Sequence, residues 1–186
     1  HDDAPEIVTY GQLEAHVQQT MCFLIAQGVQ RGDRIALQLP KCLPFFYLYL
    51  AIMRLGAIAL PLNPAYPERA LRHFLDNSGA SLFFVAAVRG AISAESPTTI
   101  PIDCTTSHAF HTLIATAPKT QLPDLPTDPD TTALMIYTSG TTGRPKGAKI
   151  SHRSLTANLD GLHTAWGWRA GDLMLHVLPI FHYHGL

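Results

Sequence analysis

Apolar and polar positions alternate along the chain in two rhythms, one of helical period and one of strand period. Leu13, Val17, Met21 and Leu24 recur at helical spacing. Thr9-Tyr10-Gly11-Gln12, just ahead of them, has the form of a capping box, in which the Thr9 hydroxyl accepts a backbone N–H and Gln12 reaches back. Gly28 can supply the left-handed stop. Arg31-Gly32-Asp33 then reads as a turn into a strand, Arg34–Leu39, rather than as an adhesion tripeptide. The spacing predicts a buried helix over Pro44–Leu55 and a buried strand over Ala57–Leu60. A helix is expected from Pro67 to about Asn77, with Pro67 in its first turn and Leu71, Phe74 and Leu75 on its apolar face. Ser81–Ala86 is a strong strand.

The pattern weakens from Val88 to Ala117, where a strand over Thr99–Ile102 and a helix over Ser107–Thr116 are expected. Pro118, Pro123, Pro126 and Pro129 mark a linker or surface crossing. Strands follow over Thr132–Tyr137 and Gly147–Ser151. Ser151 caps a helix from Leu155 to about Trp166, and Asp172–Pro179 reads as a closing strand. Trp166 and Trp168 are expected to close that helix and cover the core. Helices alternating with strands predict an α/β fold, layered α/β/α, with a largely parallel sheet. The expected organisation is a first portion, residues 1–117, a Pro-rich linker, 118–130, and a second portion of the same domain, 131–186.

Composition narrows the function classes. The chain has 186 residues, 47% of them hydrophobic, and a formal net charge of −1. That balance lacks the basic footprint of a nucleic-acid binder. Leu43–Leu62 resembles a membrane span in length and hydropathy, but Arg54, Gly56 and Pro61 favour a buried helix followed by a strand, because a central arginine is costly in lipid. Cys22, Cys42 and Cys104 show no CxxC spacing, so neither a zinc knuckle nor a disulfide framework is indicated. Reduced, mostly structural thiols fit the cytoplasm or an organelle matrix. The chain starts at His1 and stops at Leu186 inside an apolar run, which suggests an internal fragment.

The chemistry concentrates in "YTSGTTGRPKG", Tyr137–Gly147. Gly140 and Gly143 let the backbone turn tightly and bring N–H groups towards a ligand. Successive N–H groups in such a turn form an anion-binding concavity. Thr138, Ser139, Thr141 and Thr142 add hydroxyl donors, Lys146 adds a cation, and Pro145 stiffens the exit. The sum is a cradle for a polyphosphate. The string is neither Walker A nor GxGxxG. A plain Ser/Thr/Gly hairpin would account for the glycines and hydroxyls; lysine behind proline, with strands on both sides, favours the cradle. Tyr137 suits either a nucleotide-facing or a core position. His176, His182 and His184 have metal-like residue types, but no carboxylate or cysteine lies near them, and no metal ligand is assigned.

At these residues the chain resembles the adenylate-forming superfamily, which includes acyl-CoA synthetases, luciferases and peptide-synthetase adenylation domains. "YTSGTTGRPKG" is similar to its phosphate-binding signature. "TYGQLEAHVQQTMCFLIAQGVQRGDRIALQLP", "LYLAIMRLGAIALPLNPAYP", "SHRSLTANL" and "LPIFHYHGL" resemble its neighbouring segments. The resemblance implies part of the family's large N-terminal AMP-binding domain, about the first third of such a protein. It implies an acid–CoA ligase using ATP, Mg²⁺ and coenzyme A: a carboxylate attacks the α-phosphate, pyrophosphate leaves, and a thiol takes the acyl group. Thr138, Ser139, Gly140, Thr141, Thr142, Gly143 and Lys146 would hold the phosphates. His182 falls where the family places a residue beside nucleotide and acyl carboxylate. His184 falls at the acyl-pocket wall and is reminiscent of the malonyl-CoA synthetase branch. The bland alternative makes both histidines satisfied core or loop residues. A carrier-protein thiol as acceptor is the alternative within the superfamily; a non-catalytic nucleotide-binding fragment is the alternative outside it. The family's later adenine- and ribose-binding motifs and its small C-terminal domain have no counterpart in these residues, so the isolated chain is expected to lack ligase activity and to bind ATP weakly at best.

Overall fold

The computed structural model describes residues 6–89, 97–126, 128–138 and 145–186. Helix α1, Tyr10–Ala26, begins at the capping box: Gln12 N–H donates to Thr9 Oγ1 at 3.3 Å and Thr9 N–H donates to Gln12 Oε1 at 2.8 Å. Two orphan donors are thereby satisfied. Gly28, at φ 83°, turns the chain away as only glycine does cheaply. Strand β1, Arg34–Gln38, helix α2, Leu43–Arg54, and strand β2, Ile58–Pro61, follow. The apolar stretch that mimics a membrane span is thus a helix and a strand, and among the described residues no helix is long and apolar enough to cross a membrane.

Helix α3, Glu68–Ser78, has Pro67 as its N-cap and so starts one residue later than expected. Strands β3, Leu82–Ala86, and β4, Thr98–Ile102, precede helix α4, Ser107–Ala115. Strand β5, Thr132–Thr138, strand β6, Lys146–Ser151, and helix α5, His152–Trp166, complete the described elements of regular length. The sheet runs β4-β3-β1-β2-β5-β6. Every neighbour is parallel except β5 with β6, so the sheet is largely parallel as expected. One register partner, Ala59 opposite Leu134, joins β2 to β5.

Strand alternation divides the core between the two faces of the sheet. Ile35, Leu37 and Phe84 point to one face and pack with Phe45, Leu48 and Ile52 of α2, Met21 and Leu24 of α1, and Phe110 of α4. Ala36, Phe83 and Val85 point to the other and pack with Leu71, Phe74 and Leu75 of α3. Strands buried on both faces read as continuous apolar runs, which is why "LFFVA" lacks a polar side. Residues 118–126 cross the surface: Leu122 packs on the first cluster and Arg31 Nη2 donates to Asp124 O at 3.4 Å.

Two expectations fail here. Asp172–Pro179 is not a strand: no strand pairs with it among the described residues, and Leu173, Leu175 and Val177 are 98%, 85% and 71% exposed. Alternation alone does not make a strand without a ladder partner. Trp166 does not cover the core either. It is 60% exposed, helix α5 has no buried residue, and the ring meets Trp168 edge to face at 5.3 Å. The left-handed Gly167 ends α5 just after Trp166 and puts Trp168 beyond the helix.

Between α1 and α4, the imidazoles of His16 and His111 stack at 4.0 Å, with Tyr47 beside them. Burial, reinforced by His16 and His108 and opposed by Glu6, holds His111 below the ordinary histidine range. Burial does the same to His152 at the start of α5. A histidine depressed in the folded state protonates first in the unfolded chain. Its stabilising contribution is therefore complete above the unfolded pKa of about 6.5 and shrinks as pH falls through it towards the folded value. Thermal denaturation should show the midpoint falling between about pH 7 and pH 5, and His111→Phe should flatten that slope.

Candidate active site

Strand β5 delivers Tyr137 and Thr138 to the carboxyl edge of the parallel sheet, the edge where open α/β folds bind ligands. Thr138 lies opposite Lys146, the first residue of β6, so this pair closes the base of the loop. The Thr138 hydroxyl donates to Lys146 O at 3.5 Å, a long contact. Both residues are exposed, and Lys146 Nζ has no ion pair or hydrogen bond among the described residues. Ser139, Gly140, Thr141, Thr142 and Gly143 lie outside the described residues.

The loop base is braced from behind. A Cβ on Gly147 would stand 3.1 Å from Met135 Sδ and 3.6 Å from Tyr137 Cζ, so the two larger side chains fill the space above it. The Tyr137 ring lies 4.5 Å from that of Phe74, and its hydroxyl reaches Asn77 Oδ1 at 2.7 Å and Phe74 O at 3.3 Å. Burial pushes this phenol up from its ordinary pKa. Of the two sequence-based options for Tyr137, the structure shows the packing one: the side chain ties β5 to α3.

The second segment, Pro179–Leu186, folds into a tight turn. His182 N–H donates to Pro179 O at 3.2 Å, and Gly185 N–H donates to His182 O at 2.8 Å inside a short 3-10 turn, Tyr183–Gly185. A Cβ on Gly185 would overlap the Pro179 carbonyl. Ile180 is buried and Tyr183 packs on the core, which anchors the turn, while His182 and His184 project outwards. Their rings lie parallel, 5.6 Å apart, in this chain of 186 residues. Neither is a core histidine.

The run ahead of the turn is clamped to the start of α2. Lys41 Nζ donates to His176 O at 2.9 Å, and Phe46 meets the His176 ring edge-on at 6.5 Å. Because Lys41 follows the carboxyl end of β1, this run starts from the same sheet edge that carries Thr138. Sequence reasoning missed the lysine tether and Gln38. Gln38 is fully buried at the end of β1, and its Nε2 donates to Asn63 O at 3.0 Å. A polar residue inside "IALQL" was the available signal. Among the described residues, no three His, Cys, Asp or Glu side chains gather as metal ligands.

The chain matches the model of a family described as AMP-binding enzyme over residues 2–186. A protein of Humulus lupulus described as a probable CoA ligase is 30% identical, with 96% of this chain aligned to 36% of its length. The mitochondrial malonate–CoA ligase of Mus musculus is 34% identical, over 90% of this chain and 29% of its own. The crystal structure of ATP-bound MatB from Rhodopseudomonas palustris superposes with a TM-score of 0.86 at 32% identity, over 97% of this chain and 37% of that one. The chain thus spans between 29% and 37% of the length of these relatives. It belongs to the AMP-binding enzyme family, and its fold is that of the N-terminal domain of the adenylate-forming superfamily.

Proposed function

We propose that this chain supplies the phosphate-holding part of an ATP-dependent carboxylic acid–CoA ligase that works through an acyl-adenylate. The observation that carries the reading is the pairing of Thr138 with Lys146 at the carboxyl edge of the sheet: it brackets a Gly/Ser/Thr-rich string in the sequence, and Lys146 has no side-chain partner among the described residues. A substrate carboxylate attacks the α-phosphorus, and pyrophosphate departs. The charge to be stabilised lies on the β- and γ-phosphates, where Thr138, Ser139, Gly140, Thr141, Thr142, Gly143 and Lys146 provide N–H, hydroxyl and ammonium donors. Fixed donors aimed at developing charge are often the largest catalytic contribution. ATP enters as its magnesium complex; Tyr137–Lys149 contains no Asp or Glu, so no residue there is assigned to the metal.

His182 would stand beside nucleotide and acyl carboxylate, and His184 at the wall of the acyl pocket. Burying an unpaired polar group costs about 1–3 kcal/mol, so an imidazole at that wall favours an acid that is short or carries a second carboxylate. Likeness to the mouse malonate–CoA ligase and to MatB points the same way, towards malonate or another short dicarboxylic acid. Three free cysteines suit a reducing compartment, the cytoplasm or an organelle matrix.

The test is ATP–pyrophosphate exchange by the full-length protein with malonate, acetate, octanoate, palmitate and coumarate, followed by transfer to coenzyme A or to a carrier-protein thiol. Exchange driven by malonate and discharge onto coenzyme A is the expected result. Silence with every acid removes the ligase reading, and discharge onto the carrier protein alone moves the acceptor. The 186-residue chain by itself is expected to show no turnover.

A further inference from the structure

Two of the three cysteines, distant in sequence, meet at the carboxyl edge of the sheet. Cys42 is the N-cap residue of α2, with extended backbone at φ −144° and ψ 160°. Cys104 follows β4 by two residues, and its Sγ donates to Ile102 O at 3.7 Å. The two thiols are close enough to perturb each other, and neither is fully buried. Both line one cavity of about 210 Å³ that also exposes Glu6, Lys41, Thr105 and Ser107. A water molecule claims about 30 Å³ of liquid, so a small peroxide fits beside the sulfurs.

We propose that Cys42 and Cys104 form an oxidation site in which hydrogen peroxide converts the thiol pair to a disulfide. The Cys42 thiolate attacks one peroxide oxygen; the O–O bond breaks, hydroxide leaves, and Cys42 becomes a sulfenic acid. The Cys104 sulfur then attacks the Cys42 sulfur, the S–O bond breaks, and the hydroxyl leaves as water with the Cys104 proton. Two thiols are oxidised by two electrons, and one peroxide is reduced.

The surroundings divide the roles. The neighbouring Cys104 side chain draws the Cys42 thiol below its ordinary range, burial opposes it, and the Phe45 backbone N–H at the helix start adds to the lowering. The Cys104 thiol, whose proton goes to Ile102 O, is pushed up by the Cys42 side chain first and by burial second. A thiolate at a helix N-terminus is the reactive form of cysteine; its protonated partner is placed to resolve the intermediate. Cys22, 8% exposed within the core, serves as the internal reference.

In the full-length protein, graded hydrogen peroxide followed by alkylation and peptide mass analysis should yield a Cys42–Cys104 cross-link that dithiothreitol reverses. Cys42 should be lost to alkylation about tenfold faster than Cys22. Cys104→Ser should accumulate a sulfenic acid on Cys42 that dimedone captures, while Cys42→Ser should leave Cys104 reduced at the same dose. The proposal is overturned if both thiols stay alkylatable, if Cys42 oxidises no faster than Cys22, or if Cys104 oxidises equally well without Cys42.

Discussion

Lys146→Ala in the full-length protein should slow acid-dependent pyrophosphate release about a hundredfold or more, the usual loss when one preorganised donor to developing charge is removed. Lys146 shares the Thr138 side of the loop base and has no internal partner among the described residues, so its charge is free for a ligand. Removing it should leave the melting temperature unchanged, because no ion pair among the described residues is lost. Lys149 is the matched control. It carries the same charge three residues further along β6, but alternation turns it to the opposite face, across from Met135. Lys149→Ala should stay within about twofold of the parent, as surface changes away from a site usually do. Pyrophosphate release that is equal in all three proteins would remove Lys146 from the site.

Gly185→Ala should damage the segment proposed to handle the acid instead. The added methyl has nowhere to go, since its obstacle is the Pro179 carbonyl rather than a flexible side chain. Relief requires prising open the turn closed by His182 N–H on Pro179 O and Gly185 N–H on His182 O. Overpacking of this kind costs about 1–3 kcal/mol, concentrated in the segment that displays His182 and His184. Activity with the preferred acid should fall at least about tenfold, since small misplacements of positioning groups are expensive in rate. His184→Ala separates the causes: it should alter the ranking of acids while leaving the turn intact. A Gly185→Ala protein with the parent's acid ranking and melting temperature would show that this turn does not position the substrate.

What the sequence makes legible follows from range. The Thr9–Gln12 box, the Gly28 stop and the apolar runs of β1 and β3 are decided by residues within a few positions of one another, and the structure reproduces them. Asp172–Pro179 shows the limit, because its alternation is local but a ladder is not. The same limit hid the meeting of Cys42 with Cys104 and the hold of Lys41 on His176 O, which only the folding of distant segments creates. The loop stands between the two cases. Its residue types announce an anion, whereas the pairing of Thr138 with Lys146 and the Tyr137–Gly147 brace behind it needed the sheet to be seen.

The single register partner between β2 and β5 has a mechanical consequence. A ladder of four partners joins β1 to β2 and one of six joins β5 to β6, so the joint between those ladders is the thinnest place in the sheet. Breathing motions with low free energy collect where backbone pairing is sparse. The β5–β6 pair is therefore expected to hinge as a leaf against the α/β body without loosening the parallel strands behind it.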